Sequence, residues 1–416
     1  MRLLPADVPR AARILFWGRG IRAFGDGYVS LLLPVYLTVL GFDGFQVGVL
    51  TTATLLGSAA LTLAVGFVAE RFGRRALLIA ATLLMIGTGI GFMLETQFWP
   101  LVLIGFVGTL NPSSGDVSLF LPLEQALLAG AVPDKSRTAA FAFYALVGGL
   151  SIAAGALATG IPELLQRLLP IRFDTSLQAM FALYAVLGLV SYHLYRRMPA
   201  SLDSRRGGAR VPLGPSRRTV LTLAARFCIE SFASGLFIQS LLALWLFEHF
   251  GLSLATAGAI FFWVGLLQAV SYPTSAVIAR RIGLINTMVF THLPANACLI
   301  ALPFAPTLWV AVALLFARAF LSQMDVPART SYVMAVVTPA ERPAAASVTL
   351  VPRSLAAAAG PLVAGWLLSV AAFGWALVLA GALKTLYDLL MLYRFRRLKP
   401  PEERDSSAIA PTGHNR

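Results

Sequence analysis

A chain of 416 residues that is 58% hydrophobic and only 12% charged has too few polar side chains to cover a water-soluble fold of its size. Its surface is expected to face lipid. The formal net charge of +14 would suit a nucleic acid, but the basic residues lie between apolar stretches instead of gathering on a soluble face, and two cysteines make no disulfide framework.

Crossing the hydrocarbon core takes about 20 apolar residues in a helix. Such stretches are predicted at 13–40, 45–69, 76–94, 99–128, 138–159 and 176–195, and again at 218–247, 254–278, 285–304, 307–332, 344–369 and 372–393. The expected fold is therefore an all-α integral membrane protein of twelve transmembrane helices. The first residues, Met1 to Ala12, carry Arg2 and Arg10 and read as no cleavable signal. Ile161 to Phe173 reads as a short amphipathic helix on the outer interface. Residues 198–217 are rich in Pro, Gly, Ser and Arg and read as a cytosolic linker between bundles at 1–197 and 218–398. Residues 399–416 read as a polar, disordered cytosolic tail.

About 25 of the 33 Lys and Arg residues fall in the tails and the loops on one side, including Arg196, Arg197, Arg217 and Arg218. The opposite loops hold Arg167 and Arg172. That asymmetry puts both termini in the cytosol, and the expected location is the plasma (cell inner) membrane. Cys228 and Cys298 each sit in an apolar run and read as core packing.

The chain also repeats itself. A shift of 210 sets Phe42 to Gly48 on Leu252 to Gly258 and Gly73 on Gly283, while a shift of 205 sets Pro122, Arg137, Gly155 and Gly160 on Pro327, Arg342, Gly360 and Gly365. Two halves of six helices follow, pseudo-symmetric and in parallel.

After the second span come Gly66, Glu70, Arg71, Gly73, Arg74 and Arg75. Gly73 suits a tight turn, Gly66 a close helix approach, and Glu70 a helix N-terminus or an arginine. This stretch resembles the signature loop of the major facilitator superfamily (MFS) of secondary transporters, with Glu70 where that family usually has Asp. The resemblance implies that the loop latches the two halves together and governs a conformational switch. The equivalent stretch of the second half keeps Arg281 and Gly283 but has Arg280 at the acidic position. Gly360, Pro361 and Gly365 in the eleventh span read as close helix packing, with an export motif as the second reading.

Away from helix ends, the charges within spans are Arg19, Arg22 and Asp26 in the first, Asp116 and Glu124 in the fourth, Arg226 and Glu230 in the seventh, Arg318 and Asp325 in the tenth, and Arg353 in the eleventh. An unpaired charge at mid-bilayer costs about 2.5 to 3.5 kcal/mol on insertion scales, so these residues must face one another or water. In the family resembled, helices 1, 4, 7 and 10 line the central cavity, and nine of the ten charges lie on them. Arg19, Arg22 and Asp26 share one helical stripe, and Arg226 and Glu230 stand at i, i+4. Asp26, Asp116 and Glu230 are the proton-coupling candidates. Arg22, Arg226, Arg318, Asp325 and Arg353 are candidates to line the substrate cavity. Arg19, Glu124 and Arg329 are expected to reach the headgroups, Lys384 and Asp388 to form an i, i+4 pair, and His193 and His292, on outer helices, to pack or to touch the headgroups. Pro34, Pro112, Pro122, Pro273, Pro327 and Pro352 interrupt helical hydrogen bonding.

No metal-ligand cluster and no phosphate loop is legible, so neither an enzyme nor an ATP-driven pump is expected, and no cofactor or metal. The expected function is a secondary active transporter of a small organic solute, proton-coupled, with efflux favoured over uptake. The expected partners are the solute, protons and the bilayer, with the chain a monomer. The alternatives are a facilitative uniporter, or a non-transporting sensor or assembly factor of the same fold.

Overall fold

In the computed structural model the described residues are 9–113, 118–199, 214, 216–282, 284–323, 342–371 and 373–395. They are almost entirely helical, and no strand occurs among them. The first half comprises α1 (Arg10–Val39), α2 (Gly44–Phe72), α3 (Arg74–Leu94), α4 (Phe98–Val107), α5 (Phe120–Ala131), α6 (Asp134–Ala158), α7 (Ile161–Leu168) and α8 (Phe173–Arg196). The second comprises α9 (Arg217–Gly235), α10 (Gln239–Phe250), α11 (Leu254–Ile282), α12 (Leu284–Ala301), a 3-10 turn at Leu302–Phe304, α13 (Leu308–Ser322), α14 (Arg342–Val370) and α15 (Trp375–Phe395).

Eight described helical stretches are long and apolar enough to cross a bilayer, and shorter apolar helices complete the fourth, ninth and tenth passes. Helix α1, 30 residues long, makes the first pass despite its buried charges. The twelve passes thus stand where the apolar runs put them. Among the described residues, two differ in kind from the expectation of continuous helices. The fourth pass is broken between α4 and α5, and the seventh between α9 and α10. The seventh-pass break, Leu236 to Ile238, is apolar, so hydropathy alone reads one helix there, whereas the fourth-pass break carries the turn residues Asn111, Pro112, Ser113, Gly115 and Asp116.

Local chemistry sets the helix ends. Asp43 and Gln46 form a reciprocal capping box, with the Gln46 amide donating to Asp43 Oδ1 at 2.8 Å and the Asp43 amide to Gln46 Oε1 at 3.0 Å. Gly73, at φ 80°, is the single residue between α2 and α3, a conformation open to glycine at little cost. Large apolar side chains such as Trp17, Leu94, Trp99 and Trp309 point outward, as a lipid solvent allows, while the polar groups are drawn inside.

Within the first half, α1 packs on α6 and α8, α3 on α8, and α2 on α4. Within the second, α9 packs on α14 and α15, and α12 on α13 and α15. Across the halves, α2 meets α14, α6 meets α11 and α1 meets α10. The sequence repeat explains two of these contacts. A Cβ on Gly48 would stand 2.5 Å from the Pro361 carbonyl oxygen and 2.9 Å from Gly365 Cα, and one on Gly258 would collide with the Ala156 carbonyl oxygen. Gly160 lies against Ala255 in the same way. Gly48 and Gly258 are repeat equivalents, as are Gly160 and Gly365, so repeat-equivalent glycines close the halves twice, glycine on glycine at α2 and α14 and glycine on alanine at α6 and α11. All four glycines sit at the end of the molecule where α1 finishes and α2 begins. That end is sealed.

Candidate functional site

The first-half charges form one buried cluster built on α1. Arg22 on α1 donates from Nη2 to Glu124 Oε2 on α5, with the two side chains only 2% and 0% exposed. The Tyr144 hydroxyl of α6 donates to the same carboxylate oxygen, and the Tyr195 hydroxyl of α8 donates to Glu124 Oε1. Arg22 Nε also donates to Tyr195 at 3.3 Å, and its guanidinium lies 4.0 Å from the centroid of the Phe120 ring. Arg19, one turn earlier, lies 5.3 Å from the centroid of Tyr144. Two glycines make room. A Cβ on Gly18 would collide with the Tyr195 hydroxyl, and one on Gly148 with Arg19 Nε. Glu124 thus gathers one guanidinium and two phenols, a donor set that satisfies both oxygens of a buried carboxylate. It does not reach the headgroups as its place in a continuous span implied, and Arg19 is buried as well.

Asp26, two turns from Arg19 on the same stripe, is 7% exposed. Its carboxylate faces the Asn111 side chain, with Arg22 and Arg19 near enough to act on its charge, and it makes no ion pair among the described residues. Asn111 lies in the break between α4 and α5, next to Pro112. The Pro112 carbonyl accepts the Ser240 amide of α10 at 3.1 Å, and Ser30 Oγ accepts from Gln239 Nε2 at 3.0 Å. The two helix breaks therefore meet across the halves. An amide in the first turn of α10, which no carbonyl of its own helix can take, finds its acceptor in the opposite half.

The second half holds its own cluster. Glu230 on α9 accepts from Lys384 Nζ of α15 at 2.8 Å and from Ser234 Oγ at 2.9 Å, with Arg353 of α14 at 3.9 Å. Arg353 Nε donates to Ser231 Oγ at 3.1 Å. Phe237, in the break between α9 and α10, has the Arg318 guanidinium 4.4 Å and Lys384 Nζ 5.5 Å from its ring centroid. Lys384 therefore reaches a different helix from the one expected. Asp388 turns to His292 Nδ1 at 3.2 Å and accepts from Asn296 Nδ2 at 2.8 Å, so His292 is buried between α12 and α15 and does not sit at the headgroups. Arg226 donates to the Thr222 carbonyl of its own helix at 3.2 Å and lines a shallow apolar hollow with Ile229 and Leu390. Asp116, Asp325 and Arg329 lie outside the described residues. So do the tail from 399 to 416 and residues 200–213 and 215 of the 198–217 linker.

In the loop after α2, Gly73 makes the turn, while Arg75 Nη2 donates to the Arg196 carbonyl at 2.8 Å and so ties α3 to α8. Arg71 is exposed, with its guanidinium 5.5 Å from the Phe72 centroid. A Cβ on Gly66 would meet nothing within 4 Å among the described residues, so they make no close helix approach at that glycine in this conformation. The Glu70 side chain lies outside what the structure describes.

At the sealed end, α7 contributes a contact that amphipathicity alone did not foretell. Glu163 Oε1 accepts the Leu254 amide at 2.6 Å and Oε2 the Ala255 amide at 3.4 Å, while Ser253 Oγ accepts the Thr256 amide at 3.1 Å. The first-turn donors of α11, in the second half, are thus capped by a carboxylate of the first half. Cys228 and Cys298 are free and half-buried, and no cluster of metal-ligating side chains occurs among the described residues.

The sequence profile of the Major Facilitator Superfamily matches residues 15–322 and 227–414. Over 422 aligned positions, covering 93% of this chain and 94% of the other, the chain is 22% identical to an uncharacterized membrane protein, YJR124C, of Saccharomyces cerevisiae. A third of the chain is 29% identical to 29% of a putative multidrug resistance protein, MdtD, of Yersinia enterocolitica. Among solved structures, the fold is similar to the nucleoside transporter NupG, with TM-score 0.72 and 14% identity over 93% of this chain and 98% of that one. It is also similar to the human organic anion transporter MFSD10, with TM-score 0.62 and 18% identity over 92% and 99%. For a D-xylose-proton symporter the TM-score is 0.71, with 16% identity over 92% and 96%.

Proposed function

Because the chain belongs to the Major Facilitator Superfamily, we propose that it is a secondary active transporter that moves a small organic solute by alternating access, drives it with protons, and works in the plasma (cell inner) membrane as an exporter. The observation that carries this reading is Asp26, a buried carboxylate that faces an amide and makes no ion pair among the described residues, beside a cluster in which Glu124 already neutralises Arg22. A carboxylate so placed can gain and lose a proton without breaking an ion pair.

Its position supplies the coupling. Asp26 faces Asn111, Asn111 sits beside Pro112, and the Pro112 carbonyl takes an amide of α10 from the other half. Protonation converts the Asp26 carboxylate from a pure acceptor into a donor, which changes what Asn111 can offer it and so disturbs the break that touches the opposite half. The glycine seal and the Glu163 cap are the contacts that must open for the molecule to alternate. With both termini in the cytosol, as the basic loops favour, the sealed end is the outer one and the conformation faces inward.

The direction draws on the partial likeness to a putative multidrug resistance protein, and the coupling ion on the fold of a proton symporter. Metabolite profiling of cells with and without the gene identifies the solute, and flux in proteoliposomes then tests the mechanism. Asp26→Asn is expected to keep solute exchange and lose accumulation driven by a pH gradient. Gradient-driven accumulation that survives in Asp26→Asn removes Asp26 from the role.

A further inference from the structure

The second-half cluster is unevenly charged. Glu230 is approached by both Lys384 and Arg353, which leaves Arg318 with no carboxylate partner among the described residues. Arg318 is half-buried on α13, with its guanidinium over the Phe237 ring at the break of the seventh pass. Contact with a ring face offsets part of the cost of holding that charge, but it leaves the planar N–H fork without acceptors among the described residues. One turn along the same face of α13, the Ser322 hydroxyl is buried and has no hydrogen-bond partner among the described residues. A free fork and an orphan hydroxyl four residues apart on one helix face ask for the same thing, an anion with at least two oxygens.

We propose that Arg318 and Ser322 bind the carboxylate of an organic anion whose apolar body lies beside Phe237. This rests on the transport reading and names the class of solute that the cavity takes. Of the arginines that the sequence offered for the substrate cavity, Arg22 is engaged with Glu124, Arg353 is shared with Glu230 and Ser231, and Arg226 donates to the Thr222 carbonyl of its own helix, so the structure singles out Arg318. Lys384 raises the local positive potential without competing for the anion, because Glu230 holds it.

The test uses the full chain purified in a neutral detergent, where no lipid anion competes, with benzoate, benzamide and benzylamine as probes. These three share a ring and differ in charge. Benzoate is expected to raise the unfolding temperature saturably, and benzamide and benzylamine are not. Arg318→Gln is expected to weaken benzoate at least about tenfold, the lower bound for losing charge-assisted hydrogen bonds. Ser322→Ala leaves the charge in place and is expected to weaken it by a smaller factor, which keeps the test open if Arg318→Gln fails to fold. No response to benzoate, an equal response to benzamide, or undiminished benzoate binding in both variants overturns the proposal. Binding in detergent needs no gradient. Benzoate binding without proton-driven flux would therefore sink proton coupling alone, and proton-driven flux of a cationic solute would sink the anion site alone.

Discussion

Replacing Glu163 should shift the balance between the two faces of the molecule without touching its central charges. The carboxylate caps two amides of α11 from across the interface, at 2.6 and 3.4 Å, and the contact can exist only while that end is sealed. Capping side chains contribute about 0.5 to 2 kcal/mol, and a carboxylate at a helix N-terminus adds about 0.3 to 1 kcal/mol. Glu163 is half-buried, so about 1 kcal/mol is the reasonable sum for Glu163→Ala, with Glu163→Gln, which keeps one acceptor, losing about half of it. Because the loss falls on one conformer only, the sealed-to-open ratio should fall about fivefold in Glu163→Ala. Spin labels on cysteines at exposed Leu168 and Trp309, in a background without Cys228 and Cys298, report the separation of the two halves at that end by double electron-electron resonance. The long-distance population should grow in the order wild type, Glu163→Gln, Glu163→Ala. Identical distributions in all three would refute the latch.

Other perturbations separate packing from function. Glu124→Gln leaves Arg22 buried without a counter-charge and should lower stability by about 3 to 5 kcal/mol, whereas the paired change Arg22→Met with Glu124→Leu should recover most of the loss, both read by thermal unfolding of the purified protein. Gly48→Leu drives a side chain into the Pro361 carbonyl, so it should hold the sealed end open and lower solute flux at least about tenfold. Gly258→Leu should do the same through the repeat-related contact. Gly66→Ala, with nothing within 4 Å of its Cβ among the described residues, should leave the unfolding temperature unchanged.

The passes were legible because a bilayer forces each into about 20 apolar residues, and the ends of most helices fall within a few residues of the apolar runs. What the apolar runs concealed were the breaks. Reading 99–128 as one span passed over the turn signal of Asn111, Pro112, Ser113, Gly115 and Asp116, which stands between α4 and α5. That error misplaced Glu124. Counted along one continuous helix it lies near an end, but α5 begins only at Phe120 and runs to Ala131, which sets Glu124 inside the bundle. Its partners Tyr144 and Tyr195 carry no charge, so a survey of ionisable residues within spans passes over them. Lys384 and Asp388 have the spacing of a helix-surface pair, yet tertiary partners on α9 and α12 engage them, because buried charges take the best-satisfied geometry available. The paired glycines were legible as a repeat. That they close one end twice emerged only once the halves were side by side.

The central claim is that the proton state of Asp26 sets which end is open, and it can be tested without knowing the solute. Spin-label distances at the sealed end, measured for the wild-type chain in lipid nanodiscs across a pH series, should show the open population changing with a single titration. Asp26→Asn should hold one distribution at every pH, that of the protonated wild type. A full wild-type pH response in Asp26→Asn would contradict the account.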